Sequence, residues 1–163
     1  MATVLASTPI PRKDVLQNNM AGCNIFSALD MVDGYYQLLM RESDIPLKAV
    51  STLSEMLWEW LVIPQRLASA PATFNRLVTQ LFRPMRHFAQ TYFDDIFVHS
   101  KAEGDKTDVE MHIGHLWSVL MCMRENRLFA NINKCLFGAE EIPLLGCFLG
   151  KDGIRADPEK VRA

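Results

Sequence analysis

The sequence predicts an α+β fold, an antiparallel sheet with two main helices packed on one face. Two observations carry this. First, two stretches place apolar residues at helical spacing. Phe74, Leu77, Val78, Leu81 and Phe82 form one set, and Ile113, Leu116, Trp117, Leu120 and Met121 form the other. Second, short apolar segments with strand composition surround these helices, broken by turn residues. They do not alternate regularly with helices as a parallel sheet would require.

The elements follow in chain order. Pro9 and Pro11 mark an extended lead-in, and a short helix is expected near Lys13–Met20. Ile25 to Leu29 runs straight into Asp30, which reads as a strand ending on an acid. Asp33-Gly34 reads as a turn or short helical bend. Tyr36 to Met40 reads as another strand, and Trp58 to Ile63 as a strand stopped by Pro64. Ser69 is placed to cap the first main helix, Pro71 suits its first turn, and Pro84 closes it. Thr91 to Val98 carries Asp94-Asp95 in its middle. Strands avoid such acids, so a tight hairpin turn is expected there. The second main helix ends near Asn126. Leu128 to Ile132 reads as a short strand. Leu144 to Leu149 and Ile154 would pair around Lys151-Asp152-Gly153, because Asp-Gly favours a two-residue turn.

Composition excludes several classes. Hydrophobic residues make up 49% and charged residues 22%, ordinary for a globular domain. No apolar run approaches the roughly 20 residues of a membrane span. The start lacks the basic region and apolar core of a signal peptide. The net charge of −2 differs from that of strongly basic nucleic-acid binders. Cys23, Cys122, Cys135 and Cys147 form no CxxC pair, so four reduced thiols are expected. His112 and His115 are expected to be ordinary surface histidines.

Asp30, Asp94 and Asp95 stand out because their neighbours are apolar. A buried, unpaired acid costs several kcal/mol. A cation, a salt bridge or water at a cleft must offset that cost. Adjacent strand residues face opposite ways. Asp94 facing a cleft would therefore leave Asp95 the adjustable member, with Asp30 the second firm carboxylate. Carboxylates are hard ligands suited to Mg²⁺ or Mn²⁺. Two such ions about 4 Å apart support in-line attack by a 3′-hydroxyl. Turn formation and helix capping explain such acids equally well when they are judged alone.

Order along the chain adds a resemblance. Phe26-Ser27-Ala28-Leu29-Asp30-Met31-Val32-Asp33-Gly34-Tyr35-Tyr36-Gln37 resembles the first catalytic motif of reverse transcriptases, most closely those of gypsy-like long-terminal-repeat retrotransposons. Pro64 to Phe74 resembles their nucleotide-pocket motif and following helix. Tyr92-Phe93-Asp94-Asp95 is a YxDD box. Arg124 to Leu128, Asn133 to Gly138, Leu144 to Gly146 and the tail Asp152 to Val161 follow in the family's order.

The resemblance implies a palm-like sheet across residues 1–163 with part of the fingers. The N-terminal fingers, the thumb and ribonuclease H would lie outside it. It implies RNA-directed DNA polymerase activity within a retrotransposon polyprotein, inside the cell in a cytoplasmic particle or the nucleus. Asp30, Asp94 and Asp95 match the metal triad for two Mg²⁺ or Mn²⁺ ions, and the Met31 carbonyl is a further contact. Tyr35 matches the steric gate against a ribose 2′-hydroxyl. Gln65 and Arg66 fall in the nucleotide pocket beside Tyr92. Lys134 resembles the lysine proposed to protonate the leaving pyrophosphate. Leu145-Gly146 resembles the primer-grip hairpin. Implied partners are an RNA or DNA template, a primer, deoxynucleotides and the rest of the polyprotein, with no membrane.

Departures from the pattern support an alternative. Arg66 stands where the family carries Gly, a residue that permits close approach of nucleotide to backbone. Leu47 stands where Lys is usual. The alternative is a degenerate or domesticated palm without polymerase activity, acting as a binding or interaction module.

Overall fold

A computed structural model describes residues 12–64 and 70–158, the Tyr35 side chain excepted. The capping role expected of Ser69 lies outside those residues. A short helix, α1 (Lys13–Met20), precedes strand β1 (Ile25–Asp30). A 3₁₀ turn spans Gly34–Gln37, and a small hairpin follows from β2 (Val50–Ser51) and β3 (Leu57–Trp58). Helix α2 covers Ala70–Phe82 and runs into a 3₁₀ turn at Arg83–Met85 that contains Pro84. Strands β4 (Ala89–Tyr92) and β5 (Asp95–Ser100) form a hairpin, and α3 spans Asp108–Glu125. The chain then forms β6 (Leu136–Ala139), β7 (Glu141–Leu144), β8 (Cys147–Gly150) and β9 (Gly153–Ala156).

The main sheet has the strand order β4-β5-β1-β6, and each of its pairings is antiparallel. The period of two along β1 and β5 divides their side chains between two cores. Leu29, Ile96 and Val98 face α2 and α3, where Phe74, Val78, Phe82, Val119 and Met123 meet them. Phe26 and Phe97 face the other way, onto Met20 of α1 and Ile142, Leu144 and Leu149 of the β7-β8-β9 sheet. The two main helices therefore share one face, as the sequence predicts. The small sheet and α1 cover the other. At roughly 2–3 kcal/mol per fully buried large apolar side chain, both faces contribute substantially to holding β1 and β5 in register.

Several local expectations are corrected. Tyr36 to Met40 is not a strand. The 3₁₀ turn takes its first half, and only Leu39 bridges to Val62. Trp58 to Ile63 is strand only at its start. Leu128 to Ile132 holds a single bridge, Met31 to Ala130, before a 3₁₀ turn at Ile132–Lys134. Leu144 to Leu149 is broken by a turn at Leu145-Gly146, where φ is +50° and +85°. Both positive angles are those of the hairpin turn whose twist matches paired strands.

The buried face of α3 also differs from the expectation. Ile113 and Trp117 are 64% and 66% exposed, whereas His112, Val119 and Met123 are buried. His112 is no surface histidine. Its Nε2 lies 2.7 Å from Ser27 Oγ and its Nδ1 2.9 Å from Ser100 Oγ. His115 is half-buried, stacked on Phe88 with ring centroids 4.0 Å apart. The four cysteines are free thiols, as expected. Among the described residues no helix is long and apolar enough to cross a membrane.

Candidate active site

The β1–β5 register places Asp30 directly opposite Asp95. Side chains of directly opposed residues lie on the same face of a sheet. Both carboxylates accordingly line one cavity of about 250 Å³, together with Lys134, Phe97, Pro143 and Leu145. The Lys134 ammonium is 3.7 Å from the Asp30 carboxylate. Leu145 belongs to the tight β7–β8 turn, and Lys13 Nζ donates to its carbonyl at 2.7 Å.

Asp94 is placed differently. Tyr92 pairs with Asp95, so Phe93 and Asp94 form the two-residue turn between β4 and β5. Phe93 has φ +49°, a left-handed conformation that costs a non-glycine residue of order 1 kcal/mol or more. The backbone carbonyl of Asp94 accepts from the Met31 N–H at 2.8 Å, which ties the turn to the end of β1. Its side chain turns toward Gly34 and Phe74. A Cβ on Gly34 would sit 2.7 Å from Asp94 Oδ1 and 2.6 Å from Phe74 Cζ. That oxygen is buried and has no hydrogen-bond partner among the described residues.

The electrostatics follow from this placement. Burial raises the Asp94 carboxyl above its ordinary range, and the charges of Asp30 and Asp33 raise it further. Burial also raises Asp95, helped by Asp30 and Asp94 and opposed by Lys134. The turn thus gathers more negative charge than its surroundings neutralise. Among the described residues no three carboxylate, imidazole or thiol groups already stand as a cage for an ion. The donor set nevertheless fits a hard divalent cation in kind. Its donors are all carboxylate oxygens, one of them is orphaned among the described residues, and Lys134 is the cation already beside them.

The remaining expected residues divide. Met31 is buried in the helix-side core. Tyr92 packs against the opposite core and meets the Phe93 ring edge-on at 4.9 Å. Gln65, Arg66 and the Tyr35 side chain lie outside the described residues. Sequence reasoning missed the role of Gln37. Its Oε1 accepts from the Phe129 N–H at 2.8 Å and its Nε2 donates to the Phe129 carbonyl at 3.1 Å. This two-point bond clamps the Gly34–Gln37 turn to the segment after α3. The steric role of Gly34 was also missed, although an Asp-Gly pair beside the acids was its signal.

A family model described as "Reverse transcriptase (RNA-dependent DNA polymerase)" matches residues 2–149. The chain belongs to the reverse transcriptase family. It is 35% identical over 162 residues to the retrovirus-related Pol polyprotein from transposon opus of Drosophila melanogaster, covering 99% of this chain and 16% of that protein. It is 32% identical to Polyprotein P3 of Commelina yellow mottle virus, covering 91% of this chain and 8% of that one. The chain therefore spans a sixth or less of these two relatives. In structure it resembles the foamy viral protease-reverse transcriptase dRH solved in complex with double-stranded DNA. The TM-score is 0.82 at 19% identity, over 96% of this chain and 26% of that chain. That likeness shows the fold, a reverse-transcriptase palm.

Proposed function

We propose that this reverse transcriptase domain adds deoxynucleotides to a primer 3′-hydroxyl on an RNA or DNA template, as part of a retroelement polyprotein inside the cell. The single observation that carries the reading is the carboxylate arrangement. Asp30 and Asp95 oppose each other on paired strands, and Asp94 offers an orphaned oxygen from the β4–β5 turn beside them. Asp30, Asp94 and Asp95 would hold two Mg²⁺ or Mn²⁺ ions. When bound, such ions supply charge neutralisation for the triphosphate and a lowered pKa for the attacking hydroxyl.

The chain's own residues have separable roles in this reading. Lys134, already ion-paired to Asp30, holds a proton within reach of the carboxylates and would deliver it to the leaving pyrophosphate. Tyr35 excludes the ribose 2′-hydroxyl, and Gln65 with Tyr92 orients the nucleotide. Leu145-Gly146 supports the primer end, with Leu145 lining the same cavity as Asp30 and Asp95.

Primer extension tests the proposal. Extension with Mg²⁺ or Mn²⁺ that disappears in Asp94→Asn and Asp95→Asn supports it. No extension, or extension indifferent to both substitutions, overturns it.

Two observations favour a second reading, a degenerate palm that binds without polymerising. The Lys134 ammonium occupies the Asp30 carboxylate that an ion would use. Arg66 replaces the small residue expected in the pocket. Calorimetric titration with Mn²⁺ separates the readings, because a degenerate palm takes up no ion.

A further inference from the structure

A second concentration of charge, of the opposite sign, lies apart from the carboxylate turn. A cavity of about 430 Å³ opens between α1, the C-terminal half of α2 and strand β4. Its floor is apolar, with Leu16, Phe82 and Ala89 all buried. Arg76, Arg83 and Arg86 stand around it, and among the described residues no acidic side chain lines it. Arg12 also reaches it but is engaged by Asp14 at 2.6 Å. The other three guanidiniums make no ion pair among the described residues. In a chain of net charge −2, these three arginines gather positive charge at one cleft with no counterion among the described residues.

Guanidinium forks match phosphate oxygens bidentately and are well suited to phosphate recognition. The apolar floor would be wasted on a bare anion. Its volume lies within the roughly 300–1,000 Å³ usual for small-molecule sites. Strand β4 supplies Ala89, Gln90 and Thr91 to the cleft wall, and all three are buried. The side chains of Thr79 and Gln80 add further polar groups at the rim. An amphipathic anion fits this combination, with a flat apolar part on the floor and phosphates under the arginines.

We propose that this cleft binds a nucleoside 5′-phosphate at a site separate from the carboxylate turn. The base lies over Leu16 and Phe82, and the phosphates meet Arg76, Arg83 and Arg86. None of Asp30, Asp94, Asp95 or Lys134 lines the cleft, so binding here needs no metal ion.

Calorimetric titration of the whole chain in EDTA tests this, with ATP, adenosine and inorganic triphosphate as separate probes. ATP should bind saturably and at least tenfold more tightly than either fragment. The double substitution Arg83→Ala/Arg86→Ala should weaken ATP at least tenfold, and Asp94→Asn/Asp95→Asn should leave it unchanged. These arginine side chains are exposed, so their loss should not unfold the protein. The proposal is overturned by absent ATP binding, or by binding indifferent to Arg83 and Arg86. Triphosphate binding as tightly as ATP would also overturn it, because the floor would then be unused. So would a single-stranded oligonucleotide that binds more tightly than ATP through the same arginines, because the cleft would then serve a strand.

Discussion

Gly34 lies four residues beyond β1, against both the Phe74 ring and the Asp94 carboxylate. Its backbone does not require glycine, because Gly34 is not among the residues with positive φ. Substitution by alanine is therefore a purely steric perturbation. The new methyl group would stand 2.6 Å from Phe74 Cζ and 2.7 Å from Asp94 Oδ1. Carbon–carbon contacts are optimal at about 3.5–4.0 Å, so the gap is short by roughly 1 Å. Phe74 is fully buried between sheet and helices and cannot retreat freely. Overpacking of this kind costs about 1–3 kcal/mol. At about 2–4 °C per kcal/mol for a chain of this size, a 2 kcal/mol cost lowers Tm by roughly 4–8 °C. Relief comes most easily by displacing Asp94. A misplacement near 1 Å can cost on the order of 100-fold in rate. Gly114→Ala is the control. Gly114 lies inside α3 with nothing within 4 Å of a new Cβ, so the helix gains roughly 0.5–1 kcal/mol. Differential scanning calorimetry and primer extension check both variants. If Gly34→Ala melts with the parent and extends primers at the parental rate, the account of a carboxylate wedged by glycine is wrong.

Four further outcomes are expected. His99 is buried against Cys23 Sγ at 3.3 Å and pressed down to about 4 by burial and the neighbouring histidines. Its folded value lies below the unfolded 6.5, so the unfolded chain binds the extra proton and stability falls as pH drops from 6.5 toward 4. The difference amounts to about 3 kcal/mol, visible as a flatter pH profile of urea midpoints in His99→Gln. Asp94→Asn removes a buried charge from a repulsive cluster. It should raise the Tm of the metal-free protein by a few degrees, of order 1 kcal/mol, while abolishing extension. Mg²⁺ should then raise Tm in the parent but not in Asp94→Asn/Asp95→Asn. On α3, Trp117→Ala should change stability by less than about 0.5 kcal/mol, whereas Met123→Ala should cost about 2–5 kcal/mol in chemical denaturation.

The α3 contrast shows where sequence reading stops. Ile113, Trp117 and Leu120 have perfect helical spacing, yet they form an outward stripe. The face that packs carries His112, whose polarity argues for solvent until Ser27 and Ser100 supply partners from two other strands. Periodicity reports that a helix has an apolar face, and burial depends on which face meets the sheet. The helix start was legible but unused, since Thr107 and Glu110 form a reciprocal capping box at the required spacing. Strand β6 was missed because Gly138, with φ +60°, interrupts a short and half-exposed run. The segments after Tyr36 and Leu128 read as strands on composition, but too few partners are available for continuous ladders. By contrast β1, the β4–β5 turn and the β8–β9 hairpin were legible because an acid or glycine punctuated each apolar run, although the β8–β9 turn is Lys151-Asp152, with Gly153 already paired to Gly150.

The order of the three acids carries a subtler lesson. The expected firm pair was Asp30 with Asp94, leaving Asp95 adjustable. Register decides otherwise for the strand geometry. A two-residue turn takes up Phe93 and Asp94, so Asp95 begins the strand and faces Asp30 across it. Asp94 then owes its direction to the left-handed Phe93 and to the space that Gly34 leaves open. Two carboxylates are fixed by the sheet, while the third is fixed by a strained turn and a missing methyl group. A site built this way keeps its charges close only because many core residues hold β1 and β5 in register. The same arrangement leaves Asp94 with a buried oxygen that no group among the described residues satisfies. An unsatisfied carboxylate of this kind lowers stability in the empty protein. It also supplies a reason for the site to prefer a hard cation over none.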